Sequence, residues 1–219
     1  MIKRGARPAD KSSMARKREL DQRARIAEEA ARIMCELGVG DFRLAKEKAA
    51  VSLGLTERRL LPRNTEIEDA VRARQRLFGG SRHAAHLRYL RQTALKAMQL
   101  FEAFQPRLVG PVLSGLATEH SGIKLHLFTD TLEDVDLFLG ERGMPFDLTD
   151  KRLRTGAGDY RFYPVYRFVA GDVRIEATVF ALKEIRQPPK SPIDGGPMRR
   201  ANVREVEALL EADTDDALF

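Results

Sequence analysis

The residues best suited to chemistry lie in one stretch, Arg107 to Asp130, which reads RLVGPVLSGLATEHSGIKLHLFTD. Its second apolar run alternates Ile123, Leu125 and Leu127 with Lys124, His126 and Phe128. That period of two predicts a strand with one face on a core and Lys124 and His126 on the other. An ammonium group offers a fixed countercharge for an anion, and an imidazole offers acid/base chemistry near neutral pH. An earlier apolar run, Leu108 to Leu113, leads into a turn of small and polar residues that includes Gly115, Thr118, Ser121 and Gly122. Gly110 to Gly115 lacks the Lys and Ser/Thr that complete a P-loop, and Ser114 and Ser121 lack the flanking glycines of a nucleophilic serine motif.

This stretch resembles the signature of the nucleotidyltransferase superfamily, the polymerase-beta-like fold. Gly110, Gly115, Ala117, Ser121, Ile123 and Leu125 stand at the matching spacing, whereas Pro111 replaces the serine of the first turn, Gly122 the first metal-binding aspartate and Lys124 the second. The resemblance covers Ser81 to Leu182 and implies an α+β fold with a mixed sheet packed with helices. It also implies a third carboxylate on a later strand, for which Glu176 is the positional match, and hence one cleft shared by Lys124, His126 and Glu176. Nucleotidyl transfer needs two divalent ions held by carboxylates. Gly122 offers no ligand, and a lysine about 4 Å from a divalent ion costs roughly 8 kcal/mol at an effective dielectric of 20. The chain therefore reads as a degenerate member of the superfamily, lacking the aspartate pair.

Three functions are compatible with that frame. In the first, the turn around Gly110, Ser114, Gly115 and Ser121 cradles a nucleotide or nucleic-acid phosphate through backbone N–H groups, with Lys124 as countercharge and no cofactor. In the second, the chain is an active nucleotidyltransferase or related enzyme with a rearranged site: His126 and Glu176 act as an acid/base pair, or Asp130 and Glu176 hold a single metal ion such as Mg. In the third, the domain mediates protein contacts only, and Lys124 and Glu176 form an internal ion pair. His83 and His86 are three residues apart, but no further ligand accompanies them, so no metal site is expected.

The elements that must position these residues follow from periodicity and capping signals. Helices are expected over about 15–37, from Phe42 to Leu53, and from Thr65, in a capping box with Glu68, to Phe78. Another runs from an N-cap at Ser81 to Pro106, and one from Leu132 to Glu141 after Asp130. A short strand is expected from Met144 to Leu148, then a hairpin of Tyr160 to Val169 and Val173 to Leu182 about a Gly171-Asp172 turn. The Pro- and Gly-rich stretch from Lys183 to Arg200 reads as a solvated linker, although Arg186, Lys190, Arg199 and Arg200 could lie over a phosphate-binding cleft. A last helix is expected from Ala201 to Glu211.

The chain thus divides into a basic disordered arm (1–14), a helical N-terminal region (15–80), the nucleotidyltransferase-like core (81–182) and an extension with a helix and an acidic tail (183–219). Its 219 residues carry a formal net charge of +6 and are 43% hydrophobic, enough for a core. Lys3, Arg4, Arg7 and Lys11 open a basic head, and Glu205, Glu207, Glu211, Asp213, Asp215 and Asp216 close an acidic tail. The helical region ARIAEEAARIMCELGVGDF is also similar to the first helix of TetR-type helix-turn-helix repressors, but Pro62 interrupts the place of a recognition helix. A helical cap, or a contact for a protein partner, is the expected role, with a helical DNA-binding module as the alternative. A single cysteine, Cys35, and the lack of any long apolar run point to a cytoplasmic protein with no membrane partner.

Overall fold

A computed structural model describes residues 8–55 and 57–215, so Lys3, Arg4, Arg7 and Asp216 lie outside the described residues. Among these, the chain is α+β, with seven helices and a five-stranded mixed sheet. It divides into two compact units, Met1–Phe78 and Gly79–Phe219. No helix among the described residues is long and apolar enough to cross a membrane.

The first unit contains α1 (Pro8–Leu37), α2 (Phe42–Ser52) and α3 (Asn64–Phe78). Ile26, Ala30 and Ile33 of α1 are buried, as are Ala45 and Ala49 of α2 and Ile67 and Val71 of α3. Helix α1 starts at Pro8, not near residue 15, so the expected disordered arm is helical from residue 8 onward; its Ala, Met, Arg, Lys and Glu residues are good helix formers. Asp41 caps α2 by accepting from the Leu44 N–H at 2.8 Å. Glu66 accepts from the Arg63 N–H at 2.6 Å at the start of α3 and holds Arg23 of α1 at 2.6 Å. Cys35 is half-buried, and burial pushes its thiol pKa up, away from nucleophilic use.

The second unit runs α4 (Gly80–Leu100), β1 (Arg107–Val109), α5 (Pro111–Ser114), β2 (Ile123–Phe128), α6 (Glu133–Glu141), β3 (Asp147–Arg154), β4 (Tyr160–Ala170), β5 (Val173–Phe180) and α7 (Val203–Asp215). The strand order is β1-β2-β5-β4-β3. Only β2 and β5 are parallel, and their register sets Lys124 opposite Glu176 and His126 opposite Thr178. Ile123, Leu125, Leu127, Ile175, Ala177 and Val179 project from one face into a core with Leu90, Ala94, Met98 and Phe101 of α4 and Val135 and Leu139 of α6. The alternate residues of the same strands lie on the opposite face, where Phe128, Tyr163 and Phe180 form a smaller cluster with Leu153 and Ile185.

Several elements differ from the sequence expectation. The apolar run Leu108 to Leu113 is divided between β1 and a helical turn: Gly110 takes φ 75°, and Pro111, whose ring suits the first helical position, opens α5. Ser81 is not a cap, because α4 begins one residue earlier, after Gly79. Asp130 does not cap α6; its carboxylate accepts from the Leu182 N–H at 3.0 Å and ties the end of β2 to the chain beyond β5. Strand β3 extends to Arg154, well past Leu148, because it pairs with β4 along its whole length.

The Pro/Gly-rich stretch is not a solvated linker. Leu182–Arg186 forms a 3-10 turn, the Lys190 N–H donates to the Arg154 carbonyl at 2.7 Å, and Ala201 bridges to Leu108 at the edge of β1. Its prolines preclude a regular ladder, yet Lys190 and Ala201 bond to strands and Ser191, Gly195 and Met198 donate to carbonyls within the stretch itself. Asn202 and Glu205 exchange side-chain and backbone bonds at 2.7 and 3.0 Å to start α7. At its far end Asp213, counted with the acidic tail, pairs with the buried Arg91 of α4 at 2.6 Å.

Candidate functional site

The face of the sheet opposite the helices gathers the chemistry-bearing side chains. Register sets Lys124, Glu176 and Arg167 in one cross-strand row, from β2 through β5 to β4. Lys151 reaches into that row from β3 and meets Glu176 at 2.5 Å, while Arg167 stands 3.6 Å from the other carboxylate oxygen. Burial favours the neutral acid at Glu176, but the charge and hydrogen bond of Lys151, with Lys124 and Arg167 behind them, prevail and hold its pKa below the usual carboxylate range.

Lys124 is half-buried. Its stem crosses Gly110 so closely that a Cβ there would meet Lys124 Cδ at 3.3 Å. Among the described residues it forms no ion pair within 4.0 Å; Glu176 is taken by Lys151 and Arg167. The internal Lys124–Glu176 pair considered from sequence is therefore replaced by Lys151–Glu176. Burial lowers the Lys124 pKa, the nearby Lys151 charge lowers it further, and Glu176 offsets this only in part.

His126 is 3% exposed, with its ring 4.5 Å from that of Phe180. Arg200, from the end of the Pro/Gly-rich stretch, donates through Nε to His126 Nδ1 at 2.9 Å, which places the imidazole proton on Nε2. The guanidinium lies over the rings of Phe128 and Phe180 at 4.9 and 4.8 Å and donates to the carbonyls of Glu184 and Ile185. Burial first, then Arg200 and Lys151, drive the His126 pKa well below 6.5. Arg200 itself is pushed down to about 10, chiefly by burial. His126 and Glu176 thus share a face, and each is engaged by a different cation.

The turn residues are placed as follows. Ser114 Oγ donates weakly to the Pro111 carbonyl at 3.4 Å, and Gly115, at φ 80°, ends α5 in front of Arg91. Ser121 Oγ accepts from the Thr118 N–H at 2.8 Å and so closes the turn. His83 and His86 donate to the carbonyls of Ala117 and Thr118 at 3.0 and 3.3 Å, so their spacing serves to clamp this turn. At Gly122 a Cβ would lie 2.8 Å from the Arg174 carbonyl oxygen, so the backbone of β5 occupies the space an aspartate would need. Among the described residues no group of three His, Cys, Asp or Glu side chains is arranged to hold a metal.

Lys151 and Arg167 are absent from the sequence expectation, whereas Arg200 is one of the four cations expected to lie over a cleft and is found against His126. The first two were legible in principle, because alternation along DLTDKRLR and YRFYPVYRFVA sets them on the Glu176 face once the hairpin register is known. Neither a scan against protein-family models nor searches of the curated proteins and of the solved structures found a match to this chain.

Proposed function

We propose that the second unit is a nucleotidyltransferase-like binding module that takes a nucleotide or nucleic-acid phosphate at Lys124 without two-metal catalysis. The single observation that carries this reading is charge. Lys124, Lys151 and Arg167 surround one carboxylate, Glu176, and among the described residues Lys124 has no carboxylate within 4.0 Å. A half-buried ammonium in that position gains more from an anion than a hydrated surface lysine does, because its own hydration is already reduced. The family reading is supported by the element order and by the β1-β2-β5 arrangement, which sets Glu176 beside Lys124 as the signature implies.

Helix α5 has only four residues, so its dipole adds little and the Lys124 charge is the main source of affinity. The Gly110–Gly115 turn contributes shape: Gly110 lets the lysine stem cross the backbone. Titration of the full chain with a nucleoside triphosphate and with short RNA tests the proposal. Binding is expected to be the same with magnesium or with a chelator, and to weaken steeply as salt rises. No binding at millimolar ligand contradicts it, and turnover of labelled triphosphate with magnesium or manganese favours the rearranged-enzyme reading instead.

A further inference from the structure

On the other face of the sheet, the outer hairpin extends beyond its helical cover. Tyr166 is buried there, with its hydroxyl donating to Asp136 of α6 at 2.7 Å and its ring 5.1 Å from Phe146. Farther out along β4, on the same face, Phe162 is 71% and Tyr160 58% exposed. The neighbouring strand β3, at the sheet edge, sets Arg152 opposite Phe162 and Arg154 opposite Tyr160. Both arginines are exposed, and the Arg152 guanidinium lies 4.2 Å from the centroid of the Tyr160 ring.

We propose that this face of the β3–β4 hairpin binds single-stranded nucleic acid, with bases stacked on Phe162 and Tyr160 and phosphates held by Arg152 and Arg154. Charge selects the partner: among the β3 and β4 residues of this face stand two arginines and a single carboxylate, Asp150, with Asp136 of α6 already engaged by Tyr166, which suits a polyanion. The rings select its form. Residues two apart on a strand stand roughly 6.6 Å from each other, about twice the 3.4 Å rise of stacked bases, so only unstacked bases can meet both rings. A duplex hides those base faces. Protection of an open sheet edge accounts for the arginines on β3, but it gives no reason for two exposed aromatic rings beside them.

The Lys124 site lies on the opposite face, so the two sites are separable by mutation. Fluorescence anisotropy of a labelled oligouridine 12-mer with the full chain, at low salt and with a chelator, reads the interaction. Phe162→Ala is expected to weaken binding about tenfold while leaving the unfolding transition in place, and Phe162→Tyr to retain it. Arg152→Ala is expected to weaken binding and to reduce the salt slope by about one. In a Lys124→Met background, Phe162→Ala should cause the same fold loss. Oligonucleotide binding that disappears in Lys124→Met and is unchanged in Phe162→Ala overturns this inference and leaves the Lys124 site standing. So does equal binding of a duplex, or a Phe162→Ala variant whose only change is loss of self-association.

Discussion

Burial of Lys124 has an energetic cost that can be measured. The folded chain holds its pKa below the 10.5 of a free lysine, so between those values the unfolded chain binds the additional proton. The penalty is therefore fully present at neutral pH and fades as pH rises through the folded pKa. Lys124→Met should raise stability by on the order of 1 kcal/mol at pH 7 in denaturant titrations, with the gain shrinking toward pH 10. His126 behaves as a buried neutral base. Its folded pKa lies well below 6.5, so stability falls as pH drops below about 6.5, where the unfolded chain takes up a proton that the folded chain excludes. His126→Gln, which keeps an acceptor for Arg200 but does not titrate, should flatten that acid slope; an unchanged slope would assign it to other groups. Placing an aspartate at Gly122 should not create a metal site. With the Arg174 carbonyl oxygen 2.8 Å from any Cβ, Gly122→Asp is expected to lower stability by about 2 kcal/mol or more, without magnesium-dependent stabilisation in a thermal shift.

At the scale of elements, the parts legible in the sequence were those whose signal is local. Strands β2 and β5 alternate, the Gly171-Asp172 turn marks the β4–β5 hairpin, and the helix stripes show their period within a few turns. Strand β3 was foreshortened because DLTDKRLR is mostly charged, and only pairing with β4 makes a strand of it. The stretch from Lys183 to Arg200 looked like a linker because its prolines hide backbone bonds made to distant residues such as Arg154. Helix α7 shows the same limit. Composition marks Asp213 as part of an acidic tail, and nothing local reveals that its partner is Arg91, 122 residues away. That pair joins α7 to α4, with side-chain exposures of 7% for Arg91 and 24% for Asp213. Asp213→Ala leaves a buried guanidinium without its carboxylate and should cost roughly 2–3 kcal/mol, somewhat less than the loss of a fully buried pair. A change within a few tenths of a kcal/mol would show that α7 is not anchored there.

For the whole molecule, the candidate site could be read only in part, because it is assembled from separate elements. Lys124 and Glu176 are legible through the resemblance to the nucleotidyltransferase signature. The residues that decide the local charge, Lys151 and Arg167 from β3 and β4, together with Arg200 from the stretch before α7, enter through register and chain return. The sequence frame resembles a metal site, whereas the assembled face has cations in excess and no room for a carboxylate at Gly122. Calorimetric titration of a nucleoside triphosphate into the full chain, with all divalent metal chelated, separates an anion site built on Lys124 from a metal site. Saturable binding by the wild-type chain and at least a tenfold loss in Lys124→Met are expected. Binding that appears only when magnesium is restored, or that is equally strong in Lys124→Met, would contradict the anion site.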